Sequence, residues 1–319
     1  MTSFSRRDFL GRSACGAGLA AVAALIPRQA TSQQPQPKGL PPYPAAVTVG
    51  NKGTIFVVDK ELKTVYKVEE GGKLTVVYKG SRKYRTPLFN VFALSQDSAG
   101  NLFLCDTGSM DVWRMTPDGK LAPLTGQKVA RGIGPAPANQ DFDPEAAYAG
   151  KLDKPMGIVL DPDGNPVVTD LGLGAVFRIP SAGGEPQEIA RVAAPHGIAL
   201  DRDGGFVVVS QFTDQLVRVS AKGEVTPIVK GAIAPKNNPQ NVVVDQAGYV
   251  VSDNYAKAIW RVSPDGKSKA IVQGEPLVGP VGLALEADGN ILVADPWAKK
   301  LFRVTPDGKI STVASFSSD

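Results

Sequence analysis

The 319-residue chain contains one histidine and two cysteines. The single histidine limits any nucleophilic set to one imidazole, and no Ser-His-Asp or Cys-His motif is recognisable around it. Cys15 lies in the first thirty residues, which leaves Cys105 alone in the rest of the chain. A lone cysteine forms no internal disulfide. Cys105 closes the apolar run Leu102-Phe103-Leu104-Cys105, where the expected role is that of a small hydrophobe rather than a nucleophile. The absence of CxxC and CxxCH excludes zinc ribbons and c-type haem. No Gly-rich phosphate loop precedes a helix. Long hydrophobic runs are also missing: the most apolar stretch, residues 14–26, is too short and too rich in small residues for a stable membrane span.

That stretch follows Ser5-Arg6-Arg7-Asp8-Phe9-Leu10-Gly11, a twin-arginine export signature. Residues 1–30 are therefore expected to be a cleaved signal peptide, and the mature protein to be periplasmic or secreted. Arg6, Arg7, Arg12 and Arg28 face only Asp8 there, so this segment carries three of the chain's four net positive charges. The basic balance belongs largely to the export segment and is no argument for nucleic-acid binding. Residues 31–43, rich in Gln and Pro, are expected to be an extended tether. After signal removal no membrane span is expected, and a monomer is.

Residues 44–319 repeat one pattern six times. A first apolar strand ends in an acid, a tight turn follows, and a second strand ends in Asp. A loop then leads to a third strand with an aliphatic-aromatic-basic-aliphatic run. The third copy reads Gly157-Ile158-Val159-Leu160-Asp161, Pro162-Asp163-Gly164, Pro166 to Asp170, then Val176-Phe177-Arg178-Ile179. The turn glycines are Gly53, Gly100, Gly164, Gly204, Gly248 and Gly289. First strands are expected over 45–49, 93–97, 157–161, 197–201, 241–245 and 282–286. The second strands end at Asp59, Asp106, Asp170, Ser210, Asp253 and Asp295. A less regular fourth strand, such as 74–78 or 310–314, closes each copy. The strands alternate, yet both faces are apolar, which fits sheets stacked face to face. Six phase-locked four-strand units predict an all-β, six-bladed β-propeller.

The second-strand Asp followed eight residues later by Arg (Asp106/Arg114, Asp295/Arg303) resembles the NHL-repeat propellers. So does the approach from Thr125-Gly126 through Lys151-Leu152-Asp153-Lys154-Pro155. More distantly the chain is similar to the senescence-marker/gluconolactonase and streptogramin-lyase propellers. The motif specifies architecture; one such fold hosts many activities. Because Asp and Arg recur in nearly every copy, they are read as structural ion pairs or strand-end hydrogen bonds. Ser210 breaks the series and leaves Arg218 without that partner, for which Asp214 is the expected substitute.

Function is expected where the copies differ. Just before the first strand stand Ala45, Phe92, Met156, His196, Gln240 and Val281. The gluconolactonase resemblance implies Glu, Asn and Asp at such positions as ligands of a divalent metal. No carboxylate is present, so no cofactor is expected; a channel-mouth metal is the alternative. Two residues past the second-strand Asp position come the aromatics Phe212, Tyr255 and Trp297, expected to form an arc for stacking on a sugar or apolar ligand. His196, Gln240 and Asn254 are expected to supply polar orientation. Residues 127–151, with Arg131, Asp141, Asp143 and Glu145, and residues 81–86 are expected to overhang the other half of the mouth. The function expected is binding of a small molecule, glycan or partner protein. The alternative is a hydrolase of lactones or esters, or a lyase, with His196 as its one candidate base.

Overall fold

A computed structural model describes residues 40–128, 148–213, 215–229, 231–234 and 237–317. The export segment, most of the tether, Arg131, Asp141, Asp143, Glu145 and Asp214 lie outside the described residues, as does the side chain of Phe212.

The six repeats form six four-stranded antiparallel sheets, each with its strands hydrogen-bonded in sequence order. The fold is an all-β, six-bladed propeller. Blade 1 contains Pro44–Val49, Ile55–Asp59, Thr64–Val68 and Leu74–Lys79. Blade 2 contains Val91–Gln96, Leu102–Asp106, Asp111–Met115 and Leu121–Pro123. A short ribbon, Gln127–Lys128 with Tyr148–Ala149, separates it from blade 3. Blade 3 is Pro155–Leu160, Pro166–Asp170, Ala175–Arg178 and Gln187–Arg191; blade 4 is Pro195–Leu200, Phe206–Ser210, Gln215–Val219 and Val225–Pro227. Blade 5 is Pro239–Asp245, Gly248–Asp253, Ala258–Val262 and Ser268–Gln273, and blade 6 is Gly282–Leu285, Ile291–Asp295, Lys300–Val304 and Ile310–Ser315. No described helix is long and apolar enough to cross a membrane.

The doubly apolar strands have a direct explanation. In blade 6, Leu292 and Ala294 enter a core shared with blade 1, whereas Ile291 and Val293 enter the core shared with blade 5. Side chains alternate across the pleat, so each strand feeds two neighbouring cores. All six second strands are wholly buried. Cys105 sits with Phe103, Val112 and Val168 in the core between blades 2 and 3. Burial pushes its thiol pKa up, with Asp170 and Asp106 adding to the effect, which leaves it inert as a nucleophile.

Ring closure requires no exchanged strand. Blade 1 is built entirely from the first four described strands and blade 6 from the last four. Val47, Val57 and Val68 meet Leu292, Leu301 and Phe316 across the seam. A Cβ on Gly282 would stand 2.8 Å from the carbonyl oxygen of Ala45. The glycine is thus what allows the inner strands of blades 6 and 1 to approach. Gly197 fills the same role against Asn241 of blade 5.

The repeated acids are divided between the two rims. At the loop rim, the second-strand Asp is a carboxylate clamp on backbone. Asp106 accepts from Phe89 N, Asn90 N, Gly108 N and Ser109 Oγ; Asp295 accepts from Val278 N, Gly279 N and Ala298 N. Each clamp joins the connection entering the blade to the loop between strands two and three. At the opposite rim, the arginines pair with the acid that ends the first strand: Arg178 with Asp161 at 2.8 Å, Arg261 with Asp245 at 2.6 Å and Arg303 with Glu286 at 2.5 Å.

This corrects the expected second-strand Asp–Arg pairing. Asp170 lies opposite Ala175, and Arg178 is three residues farther along that strand, about 10 Å away at 3.3 Å per residue. Arg218 is likewise not orphaned by Ser210. Its Nε stands 2.7 Å from Asp201 Oδ2, within ion-pair range though not aligned as a hydrogen bond, and Nη2 donates to Tyr249 Oη at 2.8 Å.

Candidate functional site at the channel mouth

The six first strands line a central channel of about 260 Å³, walled by aliphatic residues with Thr48, Ser95 and Asn241 as polar exceptions. Its mouth at the loop rim is set by a recurrent irregularity. In blades 1 to 5 the register between strands one and two shifts after the opening residue, at 44–46, 91–93, 155–157, 195–198 and 239–241. Ala45, Phe92, Met156, His196 and Gln240 therefore occupy β-bulges inside the strand rather than positions before it. Only Val281 precedes its strand. A bulge re-aims a side chain without breaking the sheet, and here Ala45, Met156, His196 and Gln240 are buried. Pro44, Pro155, Pro195 and Pro239 open these strands, where a missing N–H costs no ladder bond.

His196 is buried, and its Nδ1 lies 2.7 Å from the carbonyl oxygen of Gln240 in the next blade. A carbonyl only accepts, so Nδ1 carries the proton and Nε2 the lone pair. Desolvation lowers the imidazole pKa from 6.5 to about 4, against the opposing pull of the Gln240 carbonyl. The carbonyl of His196 accepts the Thr169 hydroxyl of blade 3. His196 thus links blades 3, 4 and 5 through hydrogen bonds to backbone. Gln240 Nε2 donates to Asn238 O at 3.1 Å, and the same carbonyl accepts Asn254 N at 3.4 Å. His196 thus meets the backbone of Gln240, and Gln240 and Asn254 share the Asn238 carbonyl.

The aromatic arc is arranged differently. Tyr255 and Trp297 are exposed, 67% and 51% respectively. Trp297 lies over Gly279, where a Cβ would meet its Cε3 at 2.5 Å, and its ring meets Tyr43 of blade 1 edge-on at 5.4 Å. The arc therefore continues across the 6–1 seam.

Beyond Tyr43 it becomes a ladder of rings and cations. Lys60 Nζ is 4.6 Å from the Tyr43 ring and 4.7 Å from the Phe92 ring. Lys63 Nζ is 4.5 Å from Phe89, whose ring meets Tyr84 edge-on at 5.8 Å, and the Arg85 guanidinium lies 5.3 Å from Tyr84. Burial lowers the pKa of both lysines and pushes that of Tyr43 up to about 12, helped by Glu61 and Asp295. Sequence reasoning missed Tyr43, which fell in the expected tether, and Lys60. The signal was present in the step after the second-strand Asp, where blade 1 alone has a lysine.

The connection bearing Arg85 is well anchored. Arg85 O accepts Tyr148 N, while Tyr148 Oη donates to Asp111 Oδ2 at 2.7 Å and Thr125 Oγ1 donates to Asp111 Oδ1 at 2.8 Å. The Asp111 pKa is raised by desolvation, against these hydrogen bonds.

Among the described residues, the mouth does not fit a divalent metal. Hard cations require several oxygen ligands, and the bulge ring offers one amide and one imidazole among apolar residues. The nearby carboxylates of Asp106, Asp253 and Asp295 are engaged by backbone N–H groups. Among the described residues no group of three His, Cys, Asp or Glu could hold a metal.

Comparison with known structures finds the same architecture. Virginiamycin B lyase from Staphylococcus aureus, crystallised as a catalytically inactive variant with quinupristin, has a TM-score of 0.62 at 18% identity, over 85% of this chain and 84% of that one. A gluconolactonase from Xanthomonas campestris has a TM-score of 0.62 at 15% identity, over 81% and 85%. A chain of a nidogen–laminin complex has a TM-score of 0.57 at 14% identity, over 76% and 86%. No protein-family model and no curated protein sequence matches the chain. At such identities the likeness concerns the fold alone: the chain is a six-bladed propeller like those of these proteins.

Proposed function

We propose that the protein is an exported, NHL-like propeller that binds a small molecule, glycan or partner protein at the loop-rim mouth. The observation carrying this reading is the exposed Trp297, held over Gly279 and against Tyr43 at the loop rim. A rigidly seated, half-exposed indole offers contact area at little entropic cost. The export reading rests on the twin-arginine signature alone. A thermal-shift screen of saccharides and small apolar compounds tests the binding reading. The expected result is a compound that raises the melting temperature of the wild type but not of Trp297→Ala. Stabilising compounds that all act equally on the variant would move the site elsewhere.

The second reading, a lyase or hydrolase, has the free Nε2 of His196 in its favour, together with the fold of its structural neighbours. A pKa near 4 makes that nitrogen a weak base at neutral pH, and no carboxylate at the bulge ring accompanies it. Turnover of a lactone or ester, abolished in His196→Gln, would favour the enzyme.

A further inference from the structure

We infer that the mouth's ligand is an acidic saccharide, its sugar faces stacked on the Trp297–Tyr43 pair and its carboxylates met by Lys60, Lys63 and Arg85. This rests on the mouth-binding reading above and narrows its ligand class. The first observation is an unpaired buried cation. Arg85 is only 8% exposed, yet Nε and Nη1 are buried without a hydrogen-bond partner. No described carboxylate lies within ion-pair distance of it. A guanidinium stays protonated when buried, and a buried charge lacking a counter-charge is costly. Its carbonyl is fixed by Tyr148 and its backbone holds φ = 60°, a conformation rare for a residue with a side chain.

The second observation is the alternation of rings and cations from Trp297 to Arg85. Lys63 has no ion-pair partner among the described residues, and Lys60 has only Glu61 at 4.0 Å. The nearby buried acids cannot neutralise them fully, because Asp59 and Asp106 accept backbone N–H groups. Rings flanked by desolvated cations suit pyranose faces that carry carboxylates. Three cations are too few for the many phosphates of a nucleic-acid strand.

Calorimetric titration of the full chain with trigalacturonate, and with maltotriose as a neutral trisaccharide, provides the test. Trigalacturonate is expected to bind at least tenfold more tightly, with a preference that weakens as salt is raised. In Lys60→Met/Lys63→Met the preference should fall below threefold, while the melting temperature stays within a few degrees. Arg85→Gln is the companion variant if the double variant does not fold. Equal affinity for the two sugars overturns the inference but leaves a sugar-binding mouth. Failure of both sugars to bind also overturns it, and the wider reading then stands or falls on the Trp297→Ala screen. Tighter binding of a thymidine hexanucleotide than of trigalacturonate overturns it in favour of a general polyanion site.

Discussion

At the loop rim, the Asp106 carboxylate is wholly buried and surrounded by four donors from two connections. At the hairpin rim, Glu286 faces Arg303 across a contact whose arginine side chain is 36% exposed. Both acids recur through the repeat, and both are fully engaged, but water reaches one and not the other. In the dry clamp, loss of the carboxylate strands several backbone N–H groups; in the wet pair, solvent replaces the lost partner. Burial, rather than the presence of charge, decides which acid holds the propeller together. The difference also explains why the loop rim can carry variable loops, since every connection there except that of blade 4 is fixed by a buried carboxylate.

The sharpest way to break this comparison is Asp106→Ala. Several buried donors lose their acceptor together, and a destabilisation of about 3–5 kcal/mol is expected in urea unfolding. A loss below about 1 kcal/mol would make the two rims equivalent.

Next in size is a pH effect at His196. The folded protein keeps the ring neutral down to about pH 4, whereas the unfolded chain takes up a proton near 6.5. The ring's contribution is therefore fully present above pH 6.5 and is lost as the pH falls from there to about 4, on the order of 3 kcal/mol in all. Asp59, Asp106 and Asp111 have raised pKa values through desolvation and act in the opposite sense. The expected signature is accordingly the difference between wild type and His196→Gln, measured by denaturation at pH 7 and pH 4.5. Parallel pH curves would remove His196 from the buried links between blades.

At the hairpin rim, Arg303→Met should cost no more than about 1 kcal/mol, with a smaller cost in high salt. A larger, salt-independent loss would assign that pair to the core. Smallest of all is Trp297→Ala, which is expected to change stability by about 0.5 kcal/mol or less because half the indole already faces water. A collapse in melting temperature would make Trp297 a seam residue rather than part of a binding surface.

Much of the fold was legible from the chain because it is repeated. Strand order, blade number and the turn glycines follow from alternation and spacing, and the strand bounds differ from expectation by only a residue or two. Arg178 was assigned the wrong acid because Asp161 and Asp170 both recur at a constant spacing from it, and only the pairing register distinguishes them. At the site, His196 and Gln240 stood out as departures from the repeat, and the His196 ring meets the Gln240 backbone carbonyl. Tyr43 and Lys60 did not stand out. Their significance comes from a contact between the first and last blades and from a cation between two rings, neither of which has a sequence period.

By itself, the sequence determined the six-fold count, the four strands per blade and the two apolar faces. These depend on local period and residue type, which the chain carries directly. Only the tertiary structure decided which acid meets which arginine, how the ring closes without an exchanged strand, and that Trp297 meets Tyr43 and Lys60 lies between the Tyr43 and Phe92 rings. Those outcomes depend on register and on long-range packing between blades, where burial sets the strength of every charge.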